Sequence, residues 1–185
     1  MIALLKAFSN KLTRAAGIVT TSSSGSIGVT TTIITGISTV GVAVSDIIDN
    51  TNFIAGTKVT GYGDAASQVV VDQTSTNTAA VSGTAVVSFL GMTTAYASAA
   101  ATKSILIGGT FANNTSSSVN LTVEVHDASA GIQAAIASKI PVPTGSSFVI
   151  SDAGKTVLEA TDEVRVFCDT ANALDVNLSI LTGVS

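Results

Sequence analysis

Few residues in this chain of 185 could do chemistry. There is one histidine, His126, and one cysteine, Cys168. A histidine-activated nucleophile must therefore run through His126, and a metal site built on several histidines is excluded. His126 ends an alternating run and reads as a solvent-facing strand residue. Cys168 shares its parity with Val164 and Val166, so it reads as a small buried hydrophobe, and no adjacent base or cation would draw off its proton. Asp46 and Asp49, and then Asp64 and Asp72, offer carboxylates, yet no loop carries the dense, alternating acids that calcium requires. Asp162 and Glu163 read as solvated turn residues entering a strand. The sequence holds no G-x-S-x-G, no phosphate-cradling G-x-x-x-x-G-K-[ST], no C-x-x-C and no H-E-x-x-H. No catalytic, cofactor-binding or metal-ligating residue is expected. Two Tyr and six Phe are present and no Trp. Tyr62 and Tyr96 are the rings expected to be exposed, which is thin support for a sugar-stacking surface.

The elements that would position these groups are strands. In Ser117–Asp127, Val119, Leu121, Val123 and Val125 fall on one parity, and Asn120, Thr122, Glu124 and His126 on the other. Leu174–Ile180 repeats the pattern. A period of two marks a strand with one dry face and one wet face. Seven such runs are expected between residues 102 and 182: 102–111, 117–127, 132–140, 146–151, 155–158, 163–169 and 174–182. That density fits an antiparallel sandwich. An earlier set at 27–35, 40–48, 57–62, 68–72 and 84–90 is punctuated by glycines such as Gly36, Gly41 and Gly56, as turns of positive φ would be. The expected fold class is all-β: two small antiparallel sandwich or barrel modules, at 27–91 and 102–185. A linker is expected at 92–101.

The N-terminus reads differently. Ile2, Leu5, Phe8 and Leu12 follow helical spacing, with Lys6, Lys11 and Arg14 largely on another face. Gly17 is a plausible stop. The expectation is a short helical arm, with Thr20–Ser26 as a flexible polar link, so that residues 1–26 form arm and linker. Fifteen residues of helix are marginal alone in water, so the arm must pack on its own domain or on a neighbouring subunit. The apolar run Ile2–Leu5 is broken by Lys6 and has no basic lead, so no cleaved signal is expected.

Composition narrows the function classes. Ser and Thr make up about a quarter of the chain, and charged residues only 11%. Mean hydropathy is +0.56. A surface so poor in charge favours association, which points to a homo-oligomer, with a trimer among the options. Net charge is −4. Lys6, Lys11 and Arg14 put +3 on the first 14 residues, and the other 5 basic and 12 acidic residues leave −7 on the rest. An acidic body argues against nucleic-acid binding, and no run of 18 uncharged apolar residues would form a membrane-spanning helix. One cysteine permits no intrachain disulfide and fits assembly in a reducing cytoplasm.

Ser104–Asn114, Val119–Val125, Ile140–Ser146, Thr156–Val166 and Asp175–Ile180 follow one another in an order that resembles the small β-sandwich virion structural proteins of tailed bacteriophages, especially phages of marine bacteria and cyanobacteria. The resemblance covers about 80 residues. In the first half, Val44–Ile48, Phe53–Val59 and Gln68–Asp72 resemble a second β-module of phage capsid-associated and tail proteins. The resemblance implies a non-enzymatic structural protein of the virion, assembled in the host cytoplasm and partnered by the major capsid protein or by neck and tail proteins. Within that class the expectation is a head-associated decoration or cement protein that clamps neighbouring capsid subunits. The alternatives are a neck, tail or fibre-attachment component, and a receptor- or glycan-binding module. Ile2, Leu5, Phe8 and Leu12 are the expected partner-anchoring residues.

Overall fold

The computed structural model describes residues 7–151 and 155–184. Among these residues there are strands and no helix: β1 (Ala7–Ala16), β2 (Ile18–Ile27), β3 (Ile33–Thr35), β4 (Ile47–Asp49), β5 (Val59–Tyr62), β6 (Gln68–Val71), β7 (Val81–Gly91), β8 (Thr93–Ala97), β9 (Lys103–Asn113), β10 (Val119–Asp127), β11 (Ile132–Val142), β12 (Ser147–Ile150), β13 (Thr156–Leu158), β14 (Glu163–Cys168) and β15 (Leu174–Val184). All described pairings are antiparallel. The chain divides into two compact units, Met1–Gly17 with Thr93–Ser185, and Ile18–Met92. The second unit thus starts at Ile18 rather than at residue 27.

The first unit consists of two sheets. One runs β1-β15-β9-β12, with β13 also on β9, and the other runs β11-β10-β14-β8. Alternation explains the layer between them. Leu174, Val176, Leu178 and Ile180 of β15, with Leu106 and Phe111 of β9, are buried against Leu121 and Val123 of β10 and Val164, Val166 and Cys168 of β14. For β10, β14 and β15 this is the inward parity read from the sequence, whereas in β9 a bulge at Ile107 brings Leu106 and Phe111, of opposite parity, to one face. All seven runs expected between residues 102 and 182 are strands. Phe111 meets Phe148 with ring centroids 6.1 Å apart, within the range of favourable tilted pairs. The sheets approach each other at the β1/β8 edge. There the Thr13 hydroxyl donates to the Ala95 carbonyl at 3.4 Å, and the Gly17 N–H donates to the Thr93 hydroxyl at 3.3 Å. Gly17 has φ +117, and a Cβ there would lie 2.6 Å from the Thr170 carbonyl oxygen, so no other residue fits.

The second unit is one six-stranded sheet, β4-β7-β2-β3-β6-β5. It curls until the chain entering β5 meets β4. The Ile48 N–H donates to the Thr57 carbonyl at 2.8 Å, and the Val59 N–H donates to the Asp46 carbonyl at 2.9 Å. Asp72 adds a side-chain tie by accepting the Lys58 N–H at 2.8 Å. This curled sheet encloses Ile27, Ile34, Val59, Val69, Val87 and Phe89. Joining first strand to last removes the open edges that invite wrong pairing.

Three expectations are corrected. The helical arm is absent over the described residues: Ala7–Ala16 is strand β1, paired with β15 from Ala7↔Thr182 through Thr13↔Val176. The spacing of Phe8 and Leu12 suits a helix turn and also a strand face, and β15 supplies a ladder of hydrogen bonds that a lone short helix could not better. Ile2 and Leu5 lie outside the described residues. Thr20–Ser26 is not a loose link but part of β2, with Thr20, Thr21 and Ser22 opposite Phe89, Ser88 and Val87. Within 92–101, Thr93–Ala97 is strand β8, paired with β14.

Candidate functional site

The registers of β1, β15, β9, β12 and β13 build the outer face of the first sheet row by row. Phe8 lies opposite Leu181, Leu181 opposite Ile105, and Ile105 opposite Val157. All four share the parity that faces away from the core, so one apolar row crosses four strands, about 14 Å at the ordinary strand spacing. Phe8 is 78% exposed and Val157 55%. Two rows further, Leu12, Asn177, Thr110 and Val149 lie side by side, and Leu12 is 73% exposed. Between them, β9 carries a bulge at Ile107, where its register with β15 shifts. Charge lies at both ends of this described face, with Lys103, paired with Glu159 at 2.9 Å, at one and Arg14 and Asp175 at the other. Asp175 accepts the Ala15 N–H at 3.1 Å. A shallow, open depression of about 390 Å³ lies there beside Leu12, Thr110 and Asn177.

Sequence reasoning singled out Phe8 and Leu12, and the structure brings both to this face. It missed Leu181, Ile105 and Val157. The available signal was a failure of alternation: Ile105-Leu106-Ile107 and Ile180-Leu181 are apolar on both parities, so each must present an apolar side chain away from the core.

The one histidine and the one cysteine stand apart. Cys168 is fully buried on the core face of β14, opposite Leu121. Burial pushes its thiol up to about 11, which leaves it protonated and unreactive near neutrality. His126 lies on the opposite face of the same sheet, between Glu163 of β14 and Gln133 of β11. It and Cys168 are five register positions apart along β10, about 16 Å, so they form no dyad. The His126 Nδ1 atom is buried without a hydrogen-bond partner. Beside it, Arg165 Nε donates to Glu163 Oε2 at 2.6 Å. The Asp127 carboxylate is held below its ordinary range by the Ala130 N–H first, and also by the Ser129 hydroxyl and N–H, which together make a turn. Asp46 is raised by burial, partly offset by the Ala43 N–H that it accepts at 2.9 Å.

Two further expectations are corrected. Asp162 is not solvated: it is buried and accepts the N–H groups of Ala128 at 3.0 Å and Glu159 at 2.9 Å, tying two loops. Tyr96 is not exposed. Its ring is buried and its hydroxyl bonds Ser104 at 2.8 Å, while Tyr62 is half exposed with its hydroxyl on the Val42 carbonyl. Among the described residues the exposed rings are then Tyr62 and Phe8, the latter on the outer sheet face. Among the described residues no three His, Cys, Asp or Glu side chains converge on a point that a metal could occupy. What the geometry gathers is apolar surface on a rigid sheet. No protein-family model, curated protein or solved structure matches this chain.

Proposed function

We propose that this chain is a non-enzymatic structural protein of a tailed-bacteriophage virion, a head-associated decoration or cement protein that works by docking. The observation that carries the reading is the apolar row Phe8–Leu181–Ile105–Val157, with Leu12 two rows further, on the outer face of a sheet. Large apolar side chains held in fixed positions by a hydrogen-bonded ladder favour surface burial against another protein. The separation of His126 from Cys168, on opposite faces of one sheet, is in keeping with a role without a thiol–imidazole pair. The virion setting comes from the order of sequence motifs. In this reading the chain is made in the host cytoplasm, and the face with Phe8 and Leu12 is its assembly surface, clamped among capsid subunits.

The test is the stoichiometry of the chain in purified particles, for the natural sequence and for Phe8→Ser combined with Leu12→Ser. Hundreds of copies per particle, falling severalfold in the double variant, are expected. A dozen or fewer copies would place the chain at a neck or tail instead. Absence from particles would overturn the virion reading.

A further inference from the structure

The strand that carries Phe8 and Leu12 is also a sheet edge, and it differs from the other edges of its unit. On the far side of the second sheet, β11 holds Pro141 and Lys139 at φ +51, and its register with β10 shifts on both sides of Val123. Proline and bulges of this kind are how edges are protected from further pairing. Strands β12 and β13 have only four and three residues. Strand β8 meets β1 near Thr13–Gly17. By contrast, β1 keeps an unbroken register from Ala7 through Thr13, with no bulge and no proline.

The direction of its free groups can be worked out. The Thr182 hydroxyl, opposite Ala7, donates to the Ala7 carbonyl at 3.2 Å, so Ala7 faces β15. Main-chain groups alternate along an antiparallel strand, so Phe8, Asn10 and Leu12 direct their N–H and C=O away from β15. Of these, Phe8 and Leu12 also carry outward apolar side chains. The open stretch, Ala7–Thr13, is centred on Asn10.

We propose that this edge is the seat of a second copy of this chain, added strand to strand about a two-fold axis at Asn10. This deepens the assembly reading by naming the partner at β1. The sequence of the edge selects the register. Centred on Asn10, Phe8 lies beside Leu12 of the second copy, twice, giving two apolar cross-strand pairs. Within Ala7–Thr13, Lys11 then lies opposite Ser9 and no like charges face each other. Moving the axis to Lys11 sets lysine against lysine, and moving it to Ser9 sets Phe8 against Asn10. Moving it to Leu12 runs into the bulge before Ala16, where β1 turns to β8. The two-fold register joins the apolar row of one copy to Leu12 of the next and continues the sheet through both. Seven paired residues bury less than the ~800 Å² per partner of a standard interface, so micromolar self-affinity is expected.

The experiment is light scattering coupled to size exclusion on the full chain, through the micromolar range. A rise towards twice the 18.4 kDa chain mass is expected. Asn10→Pro removes the central outward N–H while leaving the β15 side intact, and should weaken self-association about tenfold or more with Cys168 still protected from thiol reagents. Asn10→Cys should oxidise to a disulfide-linked dimer, since paired residues stand about 5.5 Å apart, whereas Leu12→Cys should not. A mass fixed at one chain, or a dimer indifferent to Asn10→Pro and uncrosslinked by Asn10→Cys, overturns the proposal. A monomer that still loads onto particles through Phe8 and Leu12 sinks the second copy alone. A dimer absent from particles sinks the virion reading alone.

Discussion

A double-mutant cycle at Gly109 and Leu178 tests how tightly the first unit is packed. Gly109 of β9 lies opposite Leu178 of β15. A Cβ at Gly109 would stand 2.7 Å from Leu178 Cδ2 and 3.4 Å from Phe111 Cε2, and Leu178 is fully buried. Gly109→Ala therefore overpacks, at about 2 kcal/mol. Leu178→Ala removes the methyl that would be struck and leaves a cavity, at about 3 kcal/mol. Together the new methyl enters space that the leucine has left. The double variant should cost about 3 kcal/mol, well short of the sum. Cys168 supplies the assay: it is the only thiol, it is fully buried, and it belongs to this unit. Its labelling by a thiol reagent across a urea series reports opening of the first unit without confusion from the second. A double variant whose cost equals the sum of the singles within about 0.5 kcal/mol would refute the packing argument.

Two other outcomes follow from named contacts. The Cys168 thiol is raised from its ordinary 9.0 to about 11 in the folded chain, so the folded state holds this proton after the unfolded state has released it. The stability it contributes is complete below pH 9 and is lost as pH climbs towards about 11. Urea midpoints should fall across that window for the natural chain, and the part of the fall due to this thiol should vanish in Cys168→Ala. In the second unit, Asp72→Ala leaves the Lys58 N–H without its acceptor where β4 meets the chain entering β5. A loss of about 1–2 kcal/mol is expected, with faster hydrogen exchange at the Lys58 amide; unchanged exchange would show that the tie does not hold the closure.

The strands from Lys103 to Val184 were legible because each buries one face, and burial writes a period of two into side-chain type. The first strand was not. Phe8 and Leu12 are four apart, a spacing shared by a helix turn and a strand face, and Ile2 and Leu5 tipped the reading towards helix. What decides the matter is β15, whose partner for Ala7 is Thr182 at the other end of the sequence and whose ladder no local pattern reveals. Thr20–Ser26 read as a link because Ser and Thr are common in loops, yet a ladder bonds main chain and tolerates either. Asp162 read as solvated because Ala128, one of its two donors, is 34 residues distant. The burial of Cys168 could be anticipated from the parity it shares with Val164 and Val166. The apolar outer face could be seen only in part, since Ile105, Val157 and Leu181 join Phe8 only through pairings between distant strands.

The pairing of β1 with β15 also sets an order of events during synthesis. The second unit, Ile18–Met92, is one uninterrupted stretch, and all its partners have left the ribosome long before the chain is finished. The first unit is split around it, and β15 lies between β1 and β9 at the centre of its sheet. Until Leu174–Val184 emerges, β1 has no ladder and Phe111 and Leu106 lack the strand beside them. Folding should therefore be sequential, with the curled sheet formed early and the two-sheet unit completed in one late, long-range step. During that interval the waiting β1 and β9 are the segments most exposed to capture by another nascent chain.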